Sequence, residues 1–455
     1  MKATSLTIHA GRASHMVGLR EKIGYGLGDF ASNLIWATTL TYIVFFYTDI
    51  YRIPPAYVAA ILLVCRIANA VIDPVIGLAI DRRHGREKAR PFLKWGAAPL
   101  AVATLLVFVP VGEAVGVKVA WAIGTFLLLS ITYSFVNTAY GMLTNLMTTD
   151  TVGRLKLASA RIIGANVGSV LIGWITLSGV ALLGQGDQRQ GFMLFMGATG
   201  VTAALCFLIT HRMCRETVHY DAVPVTGGSG ALARALLRNR PWLVLTLIKF
   251  LNSTANTLSL GSATFAAVHV LGLGAGFGGT LIAVLTASSF AGCWLATPVG
   301  RRLGSRAAVR VTNLAQAACF FALAFVPQTE VPVLALVAMI GLLIGMRDPV
   351  TYTMLSDTLD YGMARTGVNA MGLGYSIASA AYKVAAGIGG ALSAGLLASS
   401  GYVAGAAVQP DSAKAAIVMG FALLPGALLL CSCLVTWAYP PDAEIEHRKS
   451  FVARE

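Results

Sequence analysis

Charge is what this sequence has least of. Of its 455 residues, 12% are Asp, Glu, Lys or Arg, about half the share of an ordinary soluble domain. Meanwhile 56% are hydrophobic and the mean hydropathy is +0.72. A water-soluble fold of this length is excluded. The short alternating segments of a transmembrane β-barrel are also missing, because the apolar runs are long and uninterrupted. Cysteine is scarce and odd in number, seven in all. Cys65, Cys206, Cys293, Cys319, Cys431 and Cys433 fall inside apolar runs, which speaks for packing and against a disulfide or metal framework. The first twenty or so residues have no apolar core, so no cleavable signal peptide is expected. The histidines sit mostly in polar connections, and no nucleophile–base or metal-ligand spacing occurs. An enzyme is not expected.

The long apolar runs themselves are informative. A membrane-crossing helix needs about 20 mostly apolar residues. About twelve such runs are present, centred near residues 37, 66, 102, 131, 171, 202, 254, 287, 318, 345, 383 and 426. The net charge of +14 follows the connections between them. Arg82, Arg83, Arg86, Lys88 and Arg90 lie in one; Arg154 and Lys156, Arg234, Arg238 and Arg240, and Arg301, Arg302, Arg306 and Arg310 lie in alternate later ones; Arg448, Lys449 and Arg454 follow the last run. The intervening connections carry few: Arg52, Lys118, Arg189 and Lys414. This is the positive-inside pattern. It predicts a multi-pass protein of the cytoplasmic (inner) membrane with both termini cytoplasmic, and it accounts for the basic charge without nucleic acid.

A polar break from Arg212 to Arg240, rich in Gly, Ser and Pro, reads as a linker. It divides the chain into 1–211, a 212–240 linker, and 241–455 with a cytoplasmic tail. The halves echo one another: "AYGMLTN" (139–145) matches "TYTMLSD" (351–357), and "GLAIDRRHGR" after the second run matches "TPVGRRLGSR" after the eighth. An all-α integral membrane protein of two parallel six-helix bundles is expected, the plan of major-facilitator transporters.

Polar residues inside such runs are costly, about 2.5–3.5 kcal/mol for a charge at the centre, so the few present are candidates. They are Asp29 and Asn33 in the first run; Arg66, Asn69 and Asp73 in the second; Asn137 and Asn145 in the fourth; and Arg161 near the start of the fifth. The later runs add Lys249 and Asn252, Arg347 and Asp348, and Lys383. Structural readings compete for some. Arg161 can snorkel from a helix end, Asp29 can serve a helix entry, and Lys249 can reach the interface. Asn145 and Asn252 can bridge helices, and Arg347 and Asp348 can neutralise each other. Asp73, mid-run beside Pro74, and Lys383, in a stretch of small residues, fit a site better. A carboxylate in a low-dielectric cavity can take up and release a proton as its surroundings change.

These motifs together resemble the glycoside–pentoside–hexuronide:cation symporters, the major-facilitator branch that includes melibiose permease. The marks are "GYGLGDFASN" with "FFYTDIY", "RIANAVIDP" followed by "DRRHGREKARPF", "ARIIGA", "SDTLDYG" at 356–362, and Lys383 before a glycine-rich run. The resemblance implies a cation-coupled transporter. It places cation coupling at Asp73 and Asn69; Arg66, at i, i+3 and i+7 spacing with them, shares their helix face and joins the coupling candidates. It implies sugar contacts at Asn33, Asn137 and Arg161 and a link between the two sites at Lys383. The residues themselves add Asp29 to the substrate-binding candidates, with Lys383, and Arg347, Asp348, Lys249 and Asp357 as gate or structural polar groups. Melibiose permease has acids where Asn33, Asn69 and Asn137 stand, and the family often has Glu where Met363 stands. With one acid lost from the coupling stripe, the expected ion is a proton, with sodium at Asp73 and Asn69 the alternative. With Arg161 and Lys383 retained, the site is expected to lean positive and to suit a uronide as well as a neutral glycoside or pentoside. No cofactor and no tightly held metal are expected, and the partners are a small-molecule sugar and membrane lipid, with the chain a monomer. The rival readings are a symporter for a non-sugar organic anion or amphiphile, and an uncoupled ligand-binding membrane sensor.

Overall fold

The computed structural model describes residues 8–10, 17–82, 87–220, 228–273, 275–325, 329–403 and 408–446. Helices dominate. In the first half they are α1 (Leu19–Phe45), α2 (Pro55–Asp81), α3 (Arg90–Val107), α4 (Val115–Met147), α5 (Thr151–Gly184) and α6 (Gln188–Met213). A short α7 (Gly228–Leu237) follows, then α8 (Arg240–Phe265), α9 (Ala275–Leu303), α10 (Ser305–Phe325), α11 (Glu330–Thr366) and α12 (Met371–Ser399). The last rod is α13 (Asp411–Val418) and α14 (Leu424–Val435), joined by a π turn at Met419–Leu423. With α7 set aside and α13–α14 counted once, twelve long rods are present among the described residues. Nine of these are long and apolar enough to cross a bilayer. The protein is an all-α, multi-pass membrane protein, as its apolar runs require. One small departure from pure helix occurs: β1 (Ile8–Ala10) pairs antiparallel with β2 (Val218–Tyr220). Strand β2 and helix α7 both lie in the stretch expected to be plain linker.

Local chemistry sets the helix ends. Asp150 accepts from the amides of Val152 (3.3 Å) and Gly153 (2.7 Å) and starts α5. Asp187 does the same for Arg189 at 2.8 Å in α6, and Asn239 for Trp242 at 3.2 Å in α8; each satisfies amides that a first turn leaves open. Pro91 and Pro241 occupy first turns, where no amide is missed. The Asp150 cap corrects the expected start of the fifth span. Arg161 lies about three turns inside α5 rather than at its end, and it is 8% exposed, so it cannot snorkel.

The residues gather into two compact units. One runs through Ala233 and also takes in Thr366–Ala380; the other holds Arg234–Arg365 and resumes at Ala381. Helix α12 is therefore divided between them. In the first unit, Asp81 accepts from the amides of Gly372 (2.6 Å) and Leu373 (2.8 Å) at the start of α12. There Tyr375 donates to Asn145 Oδ1 at 2.7 Å, so Asn145 does bridge helices.

Each unit repeats the same devices. Helix α1 ends in a π turn, Phe46–Ile50, and α8 in another, Ala266–Val270. Just past α6, Glu216 accepts from the amides of Lys88, Ala89 and Arg90 at 2.8, 2.9 and 2.8 Å. In return the Arg90 side chain donates to the His211 carbonyl near the end of α6 at 3.1 and 2.8 Å. Past α14, Asp442 accepts from the Arg306 amide, 3.2 Å to each oxygen. Arg306 donates back to the carbonyls of Thr436 (3.2 Å) and Trp437 (2.7 Å). In both halves an acid caps the start of the third helix and an arginine there caps the end of the sixth, each matched to the sign of the helix dipole. Burial pushes the Asp442 carboxyl above the usual carboxylate range and the Lys88 amine below its own. The basic residues Arg83, Arg86, Arg448, Lys449 and Arg454 lie outside the described residues.

Candidate functional site

In the first unit, close helix approach brings buried charge together. A Cβ on Gly164 of α5 would lie 2.0 Å from the Gly26 carbonyl oxygen of α1, and one on Gly28 would lie 2.4 Å from the Tyr140 ring of α4. Helices without side chains at those points can nest. Between them Arg161 Nε lies 3.3 Å from Asp29 Oδ1. The guanidinium lies over the Tyr140 ring, 4.9 Å from its centroid, and Tyr140 stacks on Tyr25 at 4.6 Å. Tyr25 in turn shares a 2.6 Å hydrogen bond with Thr144. One turn beyond Asp29, Asn33 donates to the Asp29 carbonyl at 2.9 Å, and its amide oxygen accepts from Ser169 of α5 at 3.2 Å. Asp29, Asn33 and Arg161 therefore form one cluster. The helix-entry reading of Asp29 gives way to that of a buried counter-ion, 9% exposed.

A second layer joins α2 to α4. Asn69 donates to Ser130 Oγ at 3.2 Å, and Ser134 donates to Asp73. Both pairs are one turn apart on their helices, so two i, i+4 faces meet rung by rung. Asp73 is 2% exposed and Asn69 6%. The Asn69 amide oxygen has no hydrogen-bond partner among the described residues. Ser130 and Ser134 carry neither the charge nor the amide that marks the other candidates in the sequence. They share a face with Asn137 and Thr144, at spacings of 4, 3 and 7 residues, and that periodicity could have exposed them. Asn137 is half-buried. Arg66 stands on the same helix as Asp73, but its side chain lies outside what is described.

In the second unit, Lys249 of α8 places its ammonium 3.7 Å from the centroid of the Tyr352 ring of α11. Tyr352 is the echo of Tyr140, so each repeat sets a cation on the same tyrosine. Arg347 pairs with Asp348 at 3.1 Å, as their adjacency predicts. Asp357 is buried near the end of α11 and Lys383 is half-buried in α12. The expected positive bias needs correcting for Arg161, because Asp29 offsets its charge within the same cluster.

The comparisons with known proteins agree with this architecture. A family model described as MFS/sugar transport protein matches residues 24–443. The inner membrane symporter YicJ of Escherichia coli K12 is 30% identical over 435 residues, 94% of this chain and 92% of that protein. The isoprimeverose transporter of Lactiplantibacillus pentosus is 31% identical over 440 residues, 90% and 86% of the two chains. Among solved structures, the outward conformation of the transporter FucP covers 92% of this chain and 98% of its own with a TM-score of 0.65 at 14% identity, which shows the major-facilitator fold. The resemblance to cation-coupled glycoside symporters is borne out, and with it the expectation of a transporter: the chain belongs to the MFS/sugar transport protein family.

Proposed function

We propose that this chain is a proton-coupled symporter of a neutral glycoside or pentoside, working by alternating access in the cytoplasmic membrane as a monomer with both termini inside. The observation that carries the ion assignment is the α2–α4 layer: a buried carboxylate, Asp73, held by a serine hydroxyl, with an amide where a second acid would stand. One carboxylate suffices to carry a proton. Protonation removes a buried negative charge, and a conformation that binds the proton more tightly is favoured by that difference in affinity alone. The Asp29–Arg161–Asn33 cluster supplies hydrogen-bonding groups with little net charge, which favours a neutral polyol over a uronide. The family resemblance also assigns a substrate contact to Asn137 and a linking role to Lys383. The name of the isoprimeverose transporter supports a pentose-containing ligand.

Sodium is the second reading, and one feature favours it. The Asn69 oxygen, which has no hydrogen-bond partner among the described residues, the Asp73 carboxylate and the Ser130 and Ser134 hydroxyls make an all-oxygen donor set. Proteoliposomes loaded for either a proton or a sodium gradient separate the two. Uphill isoprimeverose uptake is expected with the proton gradient in sodium-free buffer. Asp73→Asn is expected to abolish uphill uptake and retain exchange of labelled for unlabelled sugar. Uphill uptake by Asp73→Asn equal to that of the parent would remove Asp73 as the carrier. Uptake driven by sodium alone would replace the ion, a carboxylate or amphiphile outcompeting every sugar would replace the substrate class, and binding without flux would mark a sensor.

A further inference from the structure

The Arg347–Asp348 pair has a one-sided geometry that mutual neutralisation does not explain. The pair sits at the midpoint of the 37-residue α11, about 27 Å from either end at 1.5 Å per residue. Arg347 is fully engaged. Its Nη1 donates to Gln316 Oε1 (2.7 Å) and Asn313 Oδ1 (3.3 Å), and its Nε and Nη2 both donate to Asp348 Oδ1 (3.2 and 3.1 Å). The network continues outward. Gln316 donates to Asn256 Oδ1 at 3.1 Å and Asn313 to Ser432 Oγ at 3.1 Å, so α8, α10, α11 and α14 all support the guanidinium. Arg–carboxylate pairs are frequently bidentate, each nitrogen meeting its own oxygen. Here the Arg347 side chain is 2% exposed and that of Asp348 36%. Both contacts fall on one carboxylate oxygen, and Oδ2 has no hydrogen-bond partner among the described residues.

A carboxylate oxygen opened to lipid at this depth would cost about 2.5–3.5 kcal/mol, so a hydrated path is the surrounding that fits its open side. Arg347 compensates its charge, which leaves little to attract a cation. The oxygen keeps its lone pairs, and neutral hydroxyl donors are the chemistry that fits. We infer that Asp348 Oδ2, in the second unit, is a substrate-hydroxyl acceptor, with Arg347 the positioning residue that aims it. The inference rests on the sugar-symport reading above and adds a specificity determinant to it. Rigid support of this kind is what directional recognition of one hydroxyl requires.

The test is competition against radiolabelled methyl β-D-xyloside uptake, or binding, by the 2-, 3- and 4-deoxy analogues. It uses full-length protein in proteoliposomes, as parent, Asp348→Asn, Asp348→Ala and Asp348→Glu. A charge-assisted hydrogen bond gives about a 10–100-fold affinity difference. One deoxy analogue is expected to compete that much more weakly with the parent. The same penalty should vanish in Asp348→Ala, shrink in Asp348→Asn and partly return in Asp348→Glu. KM for the intact xyloside is expected to rise by a similar factor while the maximal rate changes less. Equal competition by all three analogues in the parent overturns the inference without any variant, and so does an unchanged deoxy pattern in a folded Asp348→Ala. A parent that binds and carries no sugar removes the sugar-symport reading together with this one. A parent that carries the xyloside while the deoxy pattern ignores Asp348 removes this one alone.

Discussion

Removing Arg161 should destabilise the protein far more than removing Arg161 and Asp29 together. The two charges stand 3.3 Å apart, with side chains 10% and 12% exposed. At an effective dielectric constant of about 20, their gross attraction is roughly 5 kcal/mol. Much of that is spent on desolvation when the pair is buried, so the pair itself adds little to net stability. Deleting one partner is different: Arg161→Met keeps most of the apolar stem but strands the Asp29 carboxylate, at an expected cost of about 3–5 kcal/mol. Asp29→Asn should cost less, because the guanidinium keeps the Tyr140 ring face 4.9 Å away, a contact of about 0.5–2 kcal/mol. The double variant Asp29→Asn/Arg161→Met should regain most of the loss, with a coupling energy above about 2 kcal/mol. Reversible unfolding of detergent-solubilised protein, read by tryptophan fluorescence across the four members of the cycle, measures that coupling. Single-variant losses that add to within about 0.5 kcal/mol would refute the assignment of a buried, mutually dependent pair. Transport by the double variant is expected to stay low even where stability recovers, because Arg161 is also proposed to contact substrate.

Two further outcomes follow from the packing. Gly164→Ala must push a methyl group against the Gly26 carbonyl, 2.0 Å away, and should cost about 1–3 kcal/mol. Gly124→Ala in α4, with nothing within 4 Å, should be neutral or stabilising; equal thermal shifts for the two in detergent would contradict the close α1–α5 approach. Glu216→Ala leaves three amides at the start of α3 without an acceptor. Hydrogen exchange at residues 88–90 should accelerate there while the centre of α3 stays protected, and Glu216→Gln, which keeps an acceptor, should show a smaller increase. Unchanged exchange in Glu216→Ala would show that water caps α3 equally well.

Much of the architecture could be read directly, because a bilayer leaves a backbone few options. Apolar runs of sufficient length must be helices, and the alternation of basic connections orders them. The internal echo was legible too: "AYGMLTN" and "TYTMLSD" place Tyr140 and Tyr352 at equivalent points of α4 and α11, and each receives a cation on its ring. Cap positions were harder. Nothing periodic marks Asp150 as a helix start, and a fifth span begun later places Arg161 near its end, within reach of the interface. The serines at 130 and 134 do not stand out in the sequence, because a hydroxyl inside an apolar run costs little.

Position along the chain already marks which residues bear an energetic burden: Asp29, Asn69, Asp73, Arg161, Arg347 and Asp348 each sit where a polar group is costly. It could not say who relieves each burden. Partners lie on other helices, and no local period encodes which faces meet. Packing is what sets Asp29 against Arg161 and Ser134 against Asp73, and has Arg347, held by Asn313 and Gln316, grip one oxygen of Asp348 and leave the other open. The physical reason is reach. Desolvation is set by a residue's own position in the membrane, whereas a hydrogen bond or ion pair acts over a few ångströms and exists only once glycine-lined helices have packed.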